Sequence, residues 1–204
     1  MSSMDSDSGL DTHLRQERAA IGADRHDEVW DGAYLLAPLP NNEHQEIVMR
    51  LSSFLFQHIG LTGHGLVLPG ANVSDQADDW RKNYRCPDVV VALPNCKAVN
   101  CGTHWLGGPS FVVEIVSPGD RTRAKLDFYA RVKVEELLII DRAPWRLELY
   151  RLEQDALRKV GDSTLKAPTA LTSRVVPLSL RMCTGAERPI IEVSTVPPGR
   201  AWQV

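Results

Sequence analysis

Two apolar runs decide the fold. One is Arg85-Cys86-Pro87-Asp88-Val89-Val90-Val91-Ala92-Leu93, and the other is Phe111-Val112-Val113-Glu114-Ile115-Val116-Ser117-Pro118-Gly119-Asp120. Near-continuous β-branched runs of this length read as strands buried on both faces, and Pro87 fits only the entry to such a strand. A carboxylate heads the first run and interrupts the second. An uncompensated charge there costs several kcal/mol or more, so Asp88 and Glu114 together mark a cation site. Outward from the second run, Ser117-Pro118-Gly119 stops the strand. Asp120 is then placed to cap a helix over residues 121–132, which carries Lys125 and offers Leu126, Phe128, Tyr129 and Val132 for packing. Another apolar run spans residues 135–141. Strand, helix and strand at this spacing form a βαβ-like unit, which makes its two strands parallel and central.

Upstream, the Asp31-Gly32 dipeptide lies between two apolar pairs within residues 28–37 and predicts a tight hairpin. Pro38 and Pro40 end it, and Asn41 or Asn42 can cap the next helix. In that helix Ile47, Val48, Leu51, Phe54, Leu55 and Ile59 share one face, with Gly60 at its end. His44 projects near the middle of that stripe, Glu43 lies at its edge and Glu46 falls nearly opposite. An inward histidine at a first turn can belong to a site or simply bond at the edge of a core. Residues 61–73 read as a glycine-containing strand and residues 74–84 as a polar loop. After Asp141 the pattern alternates, with Trp145, Leu147 and Leu149 against Arg146, Glu148 and Tyr150, as in half-exposed antiparallel strands. Short strands follow near residues 157–160, 174–182 and 190–193.

A length of 204 residues with 43% hydrophobic and 24% charged residues matches one globular domain. Its expected extent is residues 28–194, preceded by a tail or short helix over 1–27 and followed by a loose tail over 195–204. A formal net charge of −3 neither supports nor excludes a nucleic-acid partner, because a local basic patch would suffice. No apolar run reaches the roughly 18 residues that would span a membrane, and the polar start lacks the apolar core of a signal peptide. The expected location is cytoplasmic. Cys86, Cys96 and Cys101 with His104 could gather a zinc ion, but their spacing lacks paired Cys-x-x-Cys units, which favours free thiols. No glycine-rich phosphate loop or Gly-x-Ser-x-Gly elbow supports an NTPase or a serine hydrolase.

Taken jointly, Pro87-Asp88, Glu114 in its Phe-Val-Val-Glu-Ile-Val-Ser-Pro context, and Asp120 and Lys125 ahead of Tyr129 resemble the bacterial restriction endonucleases of the Uma type. These form a branch of the PD-(D/E)XK nuclease superfamily. The Asp31-Gly32 hairpin, the proline-rich entry to a helix bearing His44-Gln45-Glu46, the 136–141 strand and the trailing β-region follow in the family's order, so the resemblance covers residues 28–193. It implies an α/β fold, a restriction-endonuclease-like mixed central β-sheet flanked by helices, with an additional antiparallel β region. It also implies a metal-dependent endonuclease that hydrolyses DNA phosphodiester bonds. Asp88 and Glu114 would be the ligands of Mg²⁺, with Mn²⁺ as a substitute, and Lys125 and His44 would complete the catalytic set. Glu43 is a second candidate to fill the metal shell. Cutting both strands commonly takes two sites, which points to a homodimer.

The sequence departs from the superfamily pattern at one place. The lysine expected two residues after the second carboxylate is Val116, and Lys125, which matches the family's lysine, must send its stem back over the sheet. An ammonium pointing into solvent would favour the alternative, a catalytically inactive nuclease-fold module for binding or assembly. A hydrolase of small phosphoesters is a third reading. Arg121, Arg123, Arg131 and Lys133 form either a phosphate-tracking stripe or a solvated helix face.

Overall fold

The computed structural model describes residues 7–22, 24–37, 39–117, 119, 121–197, 199 and 201–204, with side chains from residue 12 onward. Helix α1, Asp7–Ala20, precedes hairpin strands β1, Glu28–Trp30, and β2, Ala33–Leu35, and helix α2, Asn42–Leu55. Next come β3, Leu66–Pro69; β4, Val73–Ser74; β5, Tyr84–Arg85; β6, Val89–Ala92; β7, Val99–Asn100; β8, Trp105–Leu106; and β9, Phe111–Ile115. A 3₁₀ turn, Thr122–Lys125, runs into helix α3, Leu126–Arg131. The remainder is β10, Glu136–Arg142; β11, Trp145–Glu153; β12, Ala156–Thr164; β13, Leu171–Thr172; β14, Leu178–Cys183; β15, Ile190–Thr195; and β16, Trp202–Gln203.

The central sheet has the order β12-β11-β10-β9-β6-β3. Strands β9 and β10 are parallel, pairing Phe111 with Glu136 through Ile115 with Ile140, and the other pairs are antiparallel. This is the mixed sheet expected, with the two apolar runs side by side at its middle. One face buries Phe111, Val113, Ile115, Leu138 and Ile140 beneath Ile47, Leu51, Phe54 and Leu55 of α2 and beneath the small sheet β13-β14-β15-β16. The other face buries Val90, Val112, Leu137 and Ile139 beneath Phe128, Tyr129 and Ala130 of α3. Each of the large side chains fully removed from water contributes roughly 1.5–3 kcal/mol. Because side chains alternate along a strand, Glu114 falls on the α3 side with Val112.

The third sheet, β2-β1-β5-β4-β8-β7, flanks this core and opens on the hairpin. Asp31 and Gly32 take φ of 47° and 90°, the left-handed pair that a two-residue turn of this twist needs. Asn41, not Asn42, caps α2: its Oδ1 accepts the His44 N–H at 2.9 Å. The final turn of α2 widens into a π turn over Phe56–Gly60.

Several local expectations are corrected. The 121–132 helix is a 3₁₀ turn followed by a six-residue α-helix, and Asp120, with Pro38 and Pro118, lies outside the described residues. The 61–73 strand is two short strands, β3 and β4, and the 74–84 loop contains a 3₁₀ turn over Trp80–Lys82. Strand β11 is not half-exposed, because Glu148 is buried under Arg123 (Nε at 3.0 Å) and Lys159 (Nζ at 3.4 Å). At the chain's end Trp202 pairs with Val193 and Val204 is buried, so these residues extend the small sheet. At the front, Arg18 of α1 donates through Nε and Nη2, at 2.6 Å each, to the buried carboxylate of Asp27. No helix among the described residues is long and apolar enough to cross a membrane.

Candidate active site

Strands β6 and β9 pair Val89 with Val113, and one step further that register sets Asp88 across from Glu114. Asp88 Oδ2 accepts the Ile115 N–H at 2.6 Å, which ties the first carboxylate to the backbone beside the second. Its Oδ1 lies 2.8 Å from His44 Nε2 at the first turn of α2. A carboxylate acceptor fixes Nε2 as the donor there, and the buried Nδ1 has no partner among the described residues. His44 therefore does face inward, onto Asp88. Arg85, a rival partner for Asp88, bonds instead to Val29 O, Asn83 and Tyr84 O and lies over the Trp30 and Phe128 rings.

Glu114 is 2% exposed. Lys125 Nζ reaches it from the 3₁₀ turn and lies 3.0 Å from both of its oxygens, while the Tyr129 hydroxyl donates to Oε1. The stem of Lys125 thus runs back over the sheet and its ammonium is buried. The same ammonium lies 2.9 Å from Oε1 of Glu28, a residue sequence reasoning missed. Glu28 heads β1 and also accepts the Cys86 N–H at 2.9 Å and the Trp30 indole N–H at 2.6 Å. Its one advance signal is a carboxylate starting a hairpin strand beside Val29 and Trp30.

Glu28 and Glu114 thus share one ammonium, and Asp88 stands across the strand pair from Glu114. Burial, with Glu28 and Asp88 adding to it, pushes the Glu114 carboxyl up to about 8 against the pull of Lys125 and Tyr129. Burial likewise pushes the Cys86 thiol up to about 12, helped by the same carboxylates, so that sulfur is an inert neighbour.

A cavity of about 770 Å³ opens over Asp88, Glu114, His44, Glu28 and Lys125, with Arg25, His26 and Arg121 also in its lining. Of the basic stripe only Arg121 faces this space. Arg123 is taken by Asp141 and Glu148, Arg131 by Asp31 and Asp75, and Lys133 by Asp155. Glu43 is likewise diverted, to Arg142 Nη1 at 3.1 Å. The cysteines do not converge: Cys86 is buried beside the site, Cys101 is exposed, and His104 bonds to Gln76 O.

Asp88 and Glu114 have the hard oxygen donors that suit a small divalent cation keeping several waters. Lys125, held in the fork of Glu114, already stands in for a cation there. The described residues contain no cluster of three or more histidines, cysteines or acids at ligand spacing.

The site thus sits at one end of a central mixed sheet that has α2 on one face and α3 on the other. A solved structure, a "putative nuclease belonging to DUF820" from Anabaena variabilis ATCC 29413, shares this fold with a TM-score of 0.56 and 17% identity, over 73% of this chain and 83% of that one. The chain belongs to the Uma2 family, described as "Putative restriction endonuclease", whose model matches residues 10–182. No curated protein matches it.

Proposed function

We propose that the protein is a divalent-metal-dependent endonuclease that hydrolyses DNA phosphodiester bonds by direct attack of water, with Mg²⁺ as its ordinary ion and Mn²⁺ able to replace it. The observation that carries this is the meeting of Asp88, Glu114 and the buried ammonium of Lys125 on one cavity. Asp88 and Glu114 would hold the cation, which when bound neutralises charge gathering on the scissile phosphate and makes water a better nucleophile. His44 fixes the rotation of Asp88, and Tyr129 fixes that of Glu114. Lys125 brings positive charge to the side of the carboxylates where a pentacovalent phosphate would be most negative. Arg121 and Arg25, in the cavity lining, supply charge for flanking phosphates.

The restriction-endonuclease description of the family supports DNA as the substrate. An inactive binding module is the weaker reading, because a lysine turned to solvent would have favoured it and Lys125 is 6% exposed. Two copies would serve the two strands of a duplex, and the cytoplasm would keep the four free thiols reduced.

Calorimetric titration of Mg²⁺ and Mn²⁺ into wild type, Asp88→Ala and Glu114→Ala tests the site. Binding by the wild type that both variants lose is expected. Undiminished binding in both would overturn the assignment.

A further inference from the structure

The placement of Lys125 raises a difficulty for any cation that comes to Glu114, and resolving it assigns a role to Glu28. The ammonium lies 3.0 Å from each oxygen of Glu114, symmetrically in the carboxylate fork. A divalent ion binding the same carboxylate meets a like charge already there, and like charges a few ångströms apart in a buried site repel strongly. The lysine must yield.

A second acceptor is already in contact. Glu28 Oε1 lies 2.9 Å from Nζ; the same oxygen accepts the Cys86 N–H at 2.9 Å, and Oε2 accepts the Trp30 indole N–H at 2.6 Å. Trp30 is in turn covered by the Arg85 guanidinium, 4.5 Å from its ring centroid. The hairpin strand that carries Glu28 is paired on both sides, by β2 and β5. Glu28 is thus an anchored carboxylate, while Lys125 ends a four-carbon stem that can swing.

We infer that Glu28 is the holding partner of Lys125: when a divalent cation takes Glu114, the ammonium passes to Glu28 and remains beside the site as a positive charge. This rests on the metal-dependent reading above. Glu28 is then a positioning residue that acts through Lys125 and does not itself bind the metal. Tight binding of the ion and retention of a catalytic lysine, which oppose each other on Glu114 alone, become compatible.

The test is calorimetric titration of Mn²⁺ into wild type, Glu28→Gln, Lys125→Met and the double variant, with circular dichroism to check folding. With Lys125 present, Glu28→Gln should weaken Mn²⁺ binding about tenfold, and with Lys125→Met in place no more than about threefold, which is lost field rather than lost exchange. Equal weakening in both backgrounds would make Glu28 a direct ligand, and no weakening in either would make it structural only; each overturns the inference. Should Glu28→Gln fail to fold, Glu28→Asp keeps the charge but withdraws it by one methylene from Lys125. It should weaken binding in the same direction, and unchanged affinity would overturn the inference. A wild type that binds no Mn²⁺ would overturn the metal reading itself, a result distinct from all of these.

Discussion

Raising the pH over the metal-free protein should reveal the crowding of carboxylates at the site. Glu114 starts from an ordinary value of 4.5 in the unfolded chain and is pushed by burial to about 8 in the fold. Between those values the folded protein holds a proton that the unfolded chain has released, so this group stabilises the fold fully below about pH 4.5 and loses that contribution as the pH climbs to about 8. The slope is at most about 1.4 kcal/mol per pH unit. Glu114 is almost wholly out of water, and solvent screening therefore removes little of it. Urea unfolding of wild type and Glu114→Gln at pH 5.5, 6.5 and 7.5 isolates the effect, because the amide does not titrate. The wild-type curve should fall relative to that of the variant by about 1 kcal/mol per unit. Parallel curves would refute the assignment of a proton to Glu114. A divalent cation should replace that proton, so saturating Mg²⁺ ought to raise the melting temperature more at pH 8 than at pH 6.

Other outcomes follow from the same contacts. His44→Ala leaves Asp88 with its Ile115 N–H bond but frees its rotation, and should weaken Mg²⁺ affinity or cleavage about 10–100-fold; calorimetry and a nicking assay would detect it, and an unchanged value would show that His44 is merely packed. Asn41→Ala removes the cap on the His44 N–H and should cost about 1 kcal/mol in urea unfolding. Arg18→Ala leaves the buried Asp27 carboxylate without its guanidinium, with an expected loss of about 3 kcal/mol and early proteolysis within α1. Proteolysis at an unaltered rate would mean that α1 is held by other contacts.

Most of what the sequence displayed lay in patterns of short range. The left-handed turn at Asp31-Gly32, the apolar stripe that turns His44 inward, and the buried-strand character of the two apolar runs all follow from neighbours within a few residues of one another. Asp88 and Glu114 stood out because a charge within such a run demands a partner. The ammonium that Glu28 meets, Lys125, is 97 residues away, and nothing local separates Glu28 from a surface acid at a strand entry. Alternation alone puts Glu148 on an exposed face for the same reason, since Arg123 and Lys159, which cover it, arrive from other elements. Trp202 and Val204 read as a loose end because their partners lie in β15, where Trp202 pairs with Val193 and Val204 bonds to Ile191. The basic stripe illustrates the converse: regular spacing put four cations in sequence reach of one another, but acids on neighbouring strands and loops claimed three of them and left Arg121 on the cavity.

Cleavage of covalently closed plasmid DNA measures the central proposal most directly, with Mg²⁺ or Mn²⁺ present or chelated, by wild type, Asp88→Ala and Lys125→Met purified side by side. Nicked and linear DNA should form only with wild type and only when the metal is free, with both variants reduced at least about a hundredfold. Intact plasmid with wild type under every metal condition, or equal cutting by the variants, would contradict it.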